Sequence, residues 1–475
     1  MHERSNVRIV CKSKQFITRK KGYQQSRKRN GMIGLLVFFC FCFFINGTTQ
    51  LKSNSIRTDS LTALSLSQCI EYALKNQPNL QRTFINQEVA RATNAINLSG
   101  RLPQIGVTAN ITHYLQLPAA LVNNGGNINA AKSGVLNTSI PGLGITQSIF
   151  SPGLQYAAKV APLYEKQSRQ ITDSTKIELV AGVSKTYYGL LLTLQQINVL
   201  REDTLRLGQN VRDTYHQYIG GIVDETDYEE AMITLNNSVA QLKQANENVI
   251  PQYAVLKQLM GYTPDKQFNI SFDSTQMYKD ILVDTTEILQ VDKRIEFKQL
   301  AIAKDLQHQL TQYYHQAAWP TLSAFYNYNH EFANNQLPQL FNYSYPYSLL
   351  GVTLSVPVFT GFARVQCLRR SELQEKQLGW SEVDLRSAIY SEYTAALANY
   401  KSNLYNLNIL KDNEALAKRV YFVVTLQYKQ GIVAYLNVIT AESNLITAEI
   451  GHLNALFQVL SSKIDLEKAM GNITY

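Results

Sequence analysis

The residues with the most distinctive chemistry lie in a short segment near the middle of the chain. A tyrosine, a glycine and three acids stand at fixed spacing: Tyr218, Gly221, Asp224, Asp227 and Glu230. Glycine permits the positive φ of a tight turn, and carboxylates are stabilised at a helix N-terminus by the helix dipole. The spacing therefore predicts a glycine turn that leads into a helix, with Thr226 and Glu229 as the capping box of that helix.

The same segment returns 210 residues later. Tyr428 and Gly431 hold the positions of Tyr218 and Gly221, and Asn437 stands where the first copy has an acid. A Met-Gly pair that ends the first copy also ends the second. Repetition on this scale indicates that one long unit has been duplicated.

No residue pattern of an enzyme accompanies these turns. The chain has no glycine-rich phosphate loop, no paired-histidine zinc motif and no nucleophile elbow. His308 and His315 are seven residues apart and could share one face of a helix, but no third ligand stands near them. We therefore predict no catalytic residue, no cofactor and no metal site.

Long helices must hold the two turns. Apolar residues before the first turn step by three and four positions, as in a coiled-coil seam: Val180, Val183, Tyr187, Leu190, Leu194 and Ile197. The segment from Leu163 to Ile219 contains no proline, and at 1.5 Å per residue it predicts a helix about 85 Å long. A second seam follows the turn: Tyr228, Met232, Leu235, Val239 and Leu242. Each turn is therefore predicted to join two antiparallel helices.

Before each long helix the apolar period changes to two. From Ile105 onward, apolar residues alternate with polar ones that include Thr108, Asn110 and Thr112, and a similar pattern farther on gives Thr353 and Ser355. Such alternation over about ten residues is typical of a membrane-spanning strand with one lipid-facing and one lumen-facing side. We predict strands at about 105–116, 136–150, 321–329 and 347–357.

The order of elements divides the chain into two repeats. Each repeat is predicted to contain a helix, two strands, a long helix, a turn and a second long helix. The first repeat covers 64–261, a linker covers 262–291, and the second repeat covers 292–475.

The charge of the chain is concentrated at its start. The formal net charge is +9, but ten of the 45 basic residues and only one of the 36 acids lie in the first fifty residues. The remainder is neutral, which argues against nucleic acid as a partner. The basic residues precede an apolar run from Met32 to Ile45, and about 14 residues are too few to cross a bilayer as a helix. The pattern predicts a signal peptide with a basic leader over 1–49.

Four strands do not close a sheet. Open strand edges cannot face lipid, because every backbone polar group there must be paired internally. The chain must therefore share its sheet with copies of itself, and three copies would supply twelve strands, enough for a barrel with an aqueous lumen. The sequence thus predicts an α+β membrane protein, in which a trimeric 12-stranded β-barrel continues into a long α-helical coiled-coil barrel.

The order of elements, the twofold repeat and the pattern Tyr-x-x-Gly-(x)5-Asp/Asn-(x)3-Ala resemble the TolC-like outer-membrane efflux protein family over about Leu64 to Tyr475. The resemblance implies a homotrimer in outer-membrane lipid, with its helices extending into the periplasm as far as an iris. It also implies a passive exit duct of a tripartite efflux pump or type I secretion system, served by a periplasmic adaptor protein and an inner-membrane pump. At the iris it implies a hydrogen bond between Tyr428 and Asp227 in the closed state.

The sequence departs from this family at the second tip. The family pattern places acids at the positions of Asn437 and Thr440, and neither residue is charged here. The acids instead crowd the first tip. There they either take part in gating or only cap the helix.

Two other classes of function remain. One is a structural or adhesive periplasmic coiled coil anchored by an uncleaved leader, which would be almost wholly helical and would lack paired strands. The other is a secreted enzyme, for which no catalytic constellation is visible.

Overall fold

The computed structural model describes residues 63–124, 127–271, 277–278, 281–283 and 288–475. The predicted signal peptide at 1–49 lies outside these residues. The described chain combines a six-stranded antiparallel sheet and a separate two-stranded one with long α-helices, which confirms the mixed helix-and-sheet class.

The α-helices account for most of the described chain. They are α1 (Leu66–Asn76), α2 (Pro78–Ser99), α3 (Pro152–Ile219), α4 (Glu225–Met260), α5 (Ile295–Gln316), α6 (Ala363–Lys429) and α7 (Tyr435–Met470). Two short 3₁₀ turns lie at Val291–Lys293 and Leu337–Gln339. Within the part of the chain that is described, no helix has both the length and the apolar character needed to span a bilayer.

Local sequence explains where the first two helices begin and end. Ser65 and Gln68 form a reciprocal capping box at the start of α1, with hydrogen bonds of 3.3 and 2.9 Å between side chain and backbone. Proline has no backbone N–H to continue a helix, so Pro78 starts a new one. Gln77 is at once the C-cap of α1 and the N-cap of α2, and its side chain accepts from the N–H of Leu80.

Two very long helices dominate the fold. Helix α3 has 68 residues and α6 has 67, so each is about 100 Å long. Helix α3 begins at Pro152, which places Pro162 inside it and makes it longer than predicted. Helix α3 packs against α4, and α6 packs against α7, so the two predicted antiparallel hairpins are present.

The predicted seam of α3 is confirmed, whereas that of α4 is confirmed only in part, since Leu242 packs beside Ile197 and Leu200 of α3. Val183, Leu190 and Ile197 are buried along α3. Helix α4 instead buries small residues at seven-residue steps: Ala231, Ser238 and Ala245. Met232 and Val239, which were expected in the seam, are exposed. Small side chains let helices approach closely, because interaxial distance depends on the residues at the contact.

The described residues contain eight strands, of which six precede α3 and two precede α6. They are β1 (Gln104–Thr108), β2 (Ile111–His113), β3 (Ala119–Asn124), β4 (Asn127–Lys132), β5 (Asn137–Ser139), β6 (Gly142–Phe150), β7 (Thr321–Asn334) and β8 (Ser344–Ser355). The strand predicted at 105–116 is interrupted and becomes β1 and β2, and the one predicted at 136–150 becomes β5 and β6. Strands β3 and β4 form a separate hairpin. The strands predicted at 321–329 and 347–357 correspond to β7 and β8, with shifted ends.

The sheet has four strand positions, as predicted. Strands β5 and β6 both pair with β7, while β2 pairs with β5 and β1 pairs with β6. Strand β8 pairs with the other side of β7. The segments β1 and β2 therefore form one edge and β8 forms the other. Neither edge has a partner strand within the described residues.

The register gives the sheet one polar and one apolar face. Paired residues project to the same face of a sheet. Thr108 pairs with Gly142, which in turn pairs with Asn329 of β7, and Thr353 pairs with Ser323 of β7. Asn329 and Ser323 are an even number of residues apart on β7, so all of these residues lie on one face. This face is polar. The opposite face carries apolar side chains, among them Ile105, Val107, Ile145, Tyr326, Leu350 and Val352.

The segment predicted as a linker over 262–291 packs against the helices in its described parts. The Tyr187 hydroxyl of α3 donates to the carbonyl of Ser271 at 2.7 Å, and the Tyr400 hydroxyl of α6 donates to the carbonyl of Ile281 at 2.8 Å. Both tyrosines are almost fully buried. The segment therefore belongs to the main hydrophobic core, where it contacts both long helices.

Candidate gate at the helical tips

The two tips have the same backbone geometry. Gly221 and Gly431 adopt φ of 70° and 73°, the left-handed region that favours glycine. At the first tip, the Gly221 N–H donates to the Tyr218 carbonyl and the Ile222 N–H donates to the Gln217 carbonyl, both at 2.9 Å. The corresponding bonds of the second tip measure 2.9 and 3.0 Å. This pair of bonds is a Schellman motif, which satisfies the last carbonyls of α3 and α6.

The helix after the first tip begins earlier than predicted. Asp224 is the N-cap of α4, and its side chain makes no capping hydrogen bond. The capping box predicted from Thr226 and Glu229 is wrong, because Thr226 already lies inside the first turn. Glu225 and Asp227 give that turn its negative charge, which the helix dipole stabilises.

The helix after the second tip begins without charge. Ala434 is the N-cap of α7, Tyr435 is its first residue, and its first turn contains no acid. Asn437 is exposed, and its N–H donates to the Ala434 carbonyl at 3.1 Å. The two tips thus have the same backbone geometry but differ in charge.

Tyr428 links the two hairpins. Its hydroxyl donates a short hydrogen bond to Oε1 of Gln217 near the end of α3. The bond to Asp227 that was predicted for the closed state is not formed in this structure, because the amide of Gln217 occupies the hydroxyl. Burial raises the pKa of the Tyr428 phenol, and the charges of Asp227 and Asp213 add to this rise, while a hydrogen bond with Thr214 opposes it. The phenol is therefore a neutral donor at physiological pH.

Apolar contacts hold the hairpins together just behind the tips. Ala231 of α4 is buried with Tyr435 and Val438 of α7. The ring centres of Tyr428 and Tyr435 lie 5.4 Å apart. The tips of the two hairpins therefore form one site, in which a polar link is backed by an aromatic cluster.

The acids of the first tip differ in exposure. Asp224 and Glu230 are exposed, whereas Asp227 is partly buried. Nearby, the rings of Tyr218 and Tyr228 stack almost parallel with centres 6.4 Å apart. The structure therefore places the predicted tip residues together, with the carboxylates concentrated on one hairpin.

Gln217 is the residue of this site that sequence reasoning missed. The signal that could have found it is the repeat itself, because Gln217 and Gln427 stand at the same position of the two copies, directly before Tyr218 and Tyr428. A polar residue in the last turn of a long helix is ordinarily solvated, so the type alone did not single it out.

The predicted lumen-facing residues lie on the polar face of the sheet, with one correction. Thr108, Thr353 and Ser355 alternate with the apolar residues described above, and Thr112 pairs with Thr138 on β5. Asn110, however, lies in the break between β1 and β2. The N–H of Ile140 donates both to its backbone carbonyl at 3.1 Å and to its Oδ1 at 3.2 Å, so the side chain shares in satisfying the backbone where the strand is interrupted.

The histidines of α5 face acids of α6. His308 Nδ1 lies 3.2 Å from Glu375 Oε1, and His315 Nε2 lies 4.0 Å from Glu372 Oε1. The two histidines do share a helix face, as considered from the sequence. Within the described ranges, no group of three His, Cys, Asp or Glu side chains is placed to hold a metal ion.

A sheet with one polar and one apolar face suits a barrel wall between water and lipid. Joined to long helical hairpins, it defines the class of outer-membrane channel proteins with an α-helical extension. The outer membrane efflux protein family matches residues 69–262 and 315–472, and the chain belongs to this family.

Individual relatives agree with this assignment. Outer membrane protein TolC of Vibrio cholerae serotype O1 is 18% identical over 424 residues, which cover 88% of this chain and 93% of that protein. The outer membrane protein VceC of Vibrio cholerae superposes with a TM-score of 0.69 at 16% identity, covering 86% of this chain and 96% of VceC. The outer membrane channel CmeC of Campylobacter jejuni also gives 0.69, at 19% identity, covering 86% of this chain and 85% of CmeC.

These findings confirm the resemblance, the outer-membrane location and the extension into the periplasm. The family consists of efflux channels and not of enzymes. The adhesive coiled-coil alternative required the absence of paired strands, and the sheet contradicts it.

Proposed function

We propose that this chain forms the exit duct of a tripartite efflux pump or a type I secretion system, as a homotrimer that conducts cargo passively from the periplasm to the outside. Its partners in this proposal are a periplasmic adaptor protein and an inner-membrane pump. The observation that carries the proposal is the two-faced sheet with two free edges, continued by two hairpins that end in matched tips.

The free edges support assembly from three copies. The β1 and β2 edge of one copy would pair with β8 of the next, which removes every open edge from the lipid. Four strand positions in each of three copies give a barrel of twelve strands, wide enough for an aqueous channel. Thr108, Thr353 and Ser355 would then line water, while Val107 and Val352 would face lipid.

The surface of α6 supports the same assembly in the helical part. Trp380, Tyr390, Tyr405 and Phe422 are each more than 60% exposed in the single chain. Large apolar side chains in such number mark an interaction surface in a folded protein. A neighbouring copy packed against α6 would cover them.

The tips are proposed as the gate and docking end of the duct. The residues involved are Tyr218, Gly221, Asp224, Asp227, Glu230, Tyr428, Gly431 and Asn437. The Tyr428–Gln217 bond ties the two hairpins in the closed state. The acids of the first tip would give the aperture its negative charge, in addition to stabilising the start of α4.

Extraction of the outer membrane tests the assembly. We expect a trimer that resists dissociation in detergent at room temperature and separates on heating, as barrels with intermolecular strand pairing do. A monomer that fractionates with the inner membrane would contradict the proposal.

Cross-linking tests the partners. Cysteines at Gly221 and Gly431 would strain a positive φ, so the exposed neighbours Ile222 and Ile432 are better sites. In a Cys367→Ser background, we expect these cysteines to capture a periplasmic adaptor. A cysteine at the exposed Glu247, on α4 away from the tip, serves as the matched control. Equal capture from the control would show that the tips are not the docking end.

A further inference from the structure

A buried charge cluster joins the two hairpins behind the tips. Asp203 and Arg206 lie on α3, and Glu442 lies about two turns into α7. The side chains of Asp203 and Glu442 are 0% and 1% exposed, and that of Arg206 is 28% exposed. Ionised groups are rarely buried so completely, because removing a charge from water is costly unless it is paired.

The contacts within the cluster leave one carboxylate oxygen and one guanidinium nitrogen unbonded. Asp203 accepts from Ser238 Oγ at 2.7 Å and from Arg206 at 3.1 Å. Glu442 Oε2 accepts from Asn210 Nδ2 at 3.0 Å. Glu442 Oε1 lies 3.6 Å from Arg206 Nε, and neither of these two buried atoms has a hydrogen-bond partner among the described residues.

The charges of the cluster do not balance when all three groups are ionised. Two carboxylates face one guanidinium, which leaves one negative charge in a buried site. One bound proton neutralises the cluster, and Glu442 Oε1 can carry that proton without breaking an existing hydrogen bond. Burial and, after it, the charge of Asp203 together raise the pKa of Glu442 to about 7, against the opposing effects of Arg206 and Asn210.

The surroundings of the cluster are consistent with this assignment. Tyr421 of α6 and Tyr435 of α7 face Glu442, and burial raises the pKa of both phenols, so both are neutral. Burial also raises the pKa of Asp203, while Ser238 and Arg206 oppose that shift. Glu449 lies about two turns after Glu442 on α7, near Arg206 and Lys418. Burial raises its pKa.

The cluster borders solvent, because Asp203 lines a groove and the Arg206 side chain is partly exposed. A groove of about 550 Å³ runs between α4 and α7, and its lining includes Asp203 and Ser238 together with polar residues of α7 such as Ser443 and Thr447. The groove and the orphaned atoms belong to both hairpins. A change in the packing of α3 and α4 against α7 therefore alters the solvation of the cluster.

We propose that Asp203, Arg206 and Glu442 form a proton-coupled latch, which holds one proton while the hairpins are packed together and releases it when they separate. The proposal rests on the proposed function, because separation of the hairpins is the opening of the duct. It concerns residues well behind the tip and a dependence on pH that the Tyr428–Gln217 bond does not supply.

The sign of the pH dependence follows from linkage. A carboxyl whose pKa is higher in the packed state stabilises that state at low pH. This stabilisation is complete below the ordinary value of 4.5 and is lost as the pH rises to about 7. Over that range the equilibrium for hairpin separation increases by up to about tenfold per pH unit for one proton. The latch therefore stabilises the packed hairpins in acid and no longer does so above neutral pH.

Conductance of the purified trimer in planar bilayers tests the latch between pH 5 and pH 8. We expect the resting conductance of the unmodified protein to rise with pH. Glu442→Gln, which places a neutral amide in the same volume, should hold the conductance low and nearly independent of pH. Glu247→Gln removes an exposed, ion-paired carboxylate from α4 and should reproduce the unmodified profile.

Hydrogen exchange provides a readout that needs no conduction. Amide exchange in 201–210 and 438–446 is compared between the unmodified protein and Glu442→Gln at each pH, so that intrinsic exchange rates cancel. We expect the variant to be better protected, by a factor that grows from pH 5 to pH 7. If the trimer conducts at no pH but this difference in protection is present, the proposed duct function is contradicted while the proposed latch is supported. Equal protection and superimposable conductance profiles would overturn the latch.

Discussion

The hydroxyl of Tyr428 is buried enough to stay protonated and lies beside an amide oxygen of the other hairpin. A neutral hydrogen bond of this kind contributes about 0.5–1.5 kcal/mol to the state in which it forms. In the proposed trimer it would form three times, which gives about 1.5–4.5 kcal/mol if the bonds act independently. One side chain per copy is therefore enough to shift the closed state by tenfold or more.

Tyr428→Phe tests this bond because it removes the hydroxyl and leaves the volume of the side chain almost unchanged. We expect the resting conductance of the trimer to increase by about tenfold or more, because three hydrogen bonds are lost while the ring packing on Tyr435 is kept. Conductance in planar bilayers measures the effect.

A double-mutant cycle identifies the partner. Gln217→Ala should add little to Tyr428→Phe, because both remove the same bond, whereas Asp227→Ala should add its own effect in full. If Asp227→Ala added little to Tyr428→Phe while Gln217→Ala added its full effect, Asp227 would be the acceptor. The Gln217 bond would then belong to a different state of the protein.

The glycine at the first tip allows a comparison between neighbours. Gly221 has φ of 70°, whereas the preceding Gly220 has φ of −76°. Gly221→Ala should therefore destabilise the turn by about 1 kcal/mol, while Gly220→Ala should be neutral or slightly favourable. Hydrogen exchange at the Ile222 amide measures the opening of the turn, and about a fivefold loss of protection is expected for Gly221→Ala alone. Similar losses in both variants would show that the left-handed conformation does not control the turn.

At the scale of elements, the half of α4 nearer the tip buries small side chains, whereas the far half buries the large residues Leu256 and Met260. Ala231 is fully buried between the hairpins, while Ile233 two positions later is 60% exposed. Ala231 packs with Tyr435 and Val438 of α7, so a larger side chain there would press against both. The same surface of α4 also supplies Ser238 to the buried charge cluster.

Ala231→Leu should separate the hairpins behind the tip. Overpacking a tight contact costs about 1–3 kcal/mol in each copy, so the trimer should lose its resistance to heat at a lower temperature. Ile233→Leu, an exposed substitution on the same helix, serves as the control and should leave the melting temperature unchanged. Thermal dissociation on gels measures both. An unaffected Ala231→Leu trimer would mean that α4 can shift without cost.

The seam of α3 could be predicted because Val183, Leu190 and Ile197 are large and apolar and follow a heptad. The small buried residues of α4 could not be predicted, because alanine and serine carry little hydrophobic signal even though they recur every seven residues. The strands could be predicted from their alternation, but their interruptions were not. Pro141 offered the signal, because it lacks the N–H that a ladder requires, and the break at Asn110 lies opposite it.

At the scale of the whole molecule, the sequence predicts that the sheet needs strands from other copies of the chain, and this stays a prediction. That inference came from counting strands and from the rule that edges in lipid must be paired. The order of elements in the two halves followed from periodicity and turn residues. The buried cluster of Asp203, Arg206 and Glu442 could not be predicted, because it depends on which faces of α3 and α7 meet, and each residue alone resembles a solvated charge.

The two faces of the sheet can be tested on adjacent residues. Val352 lies on the apolar face of β8 and Thr353 on the polar face, and both are exposed in the single chain. Arginine facing lipid near the middle of a bilayer costs about 2–4 kcal/mol, and the cost recurs in each copy. Val352→Arg should therefore deplete the heat-modifiable trimer from the outer membrane.

Thr353→Arg introduces the same side chain one position later and should preserve the trimer, because the guanidinium would point into water. Its effect should appear instead as a lower conductance for cations, since three positive charges would line the lumen. Gel analysis of outer-membrane extracts and bilayer conductance distinguish the two variants. If Val352→Arg assembled normally while Thr353→Arg did not, the polar face would have to be the one in contact with lipid, and the proposed barrel would be inverted.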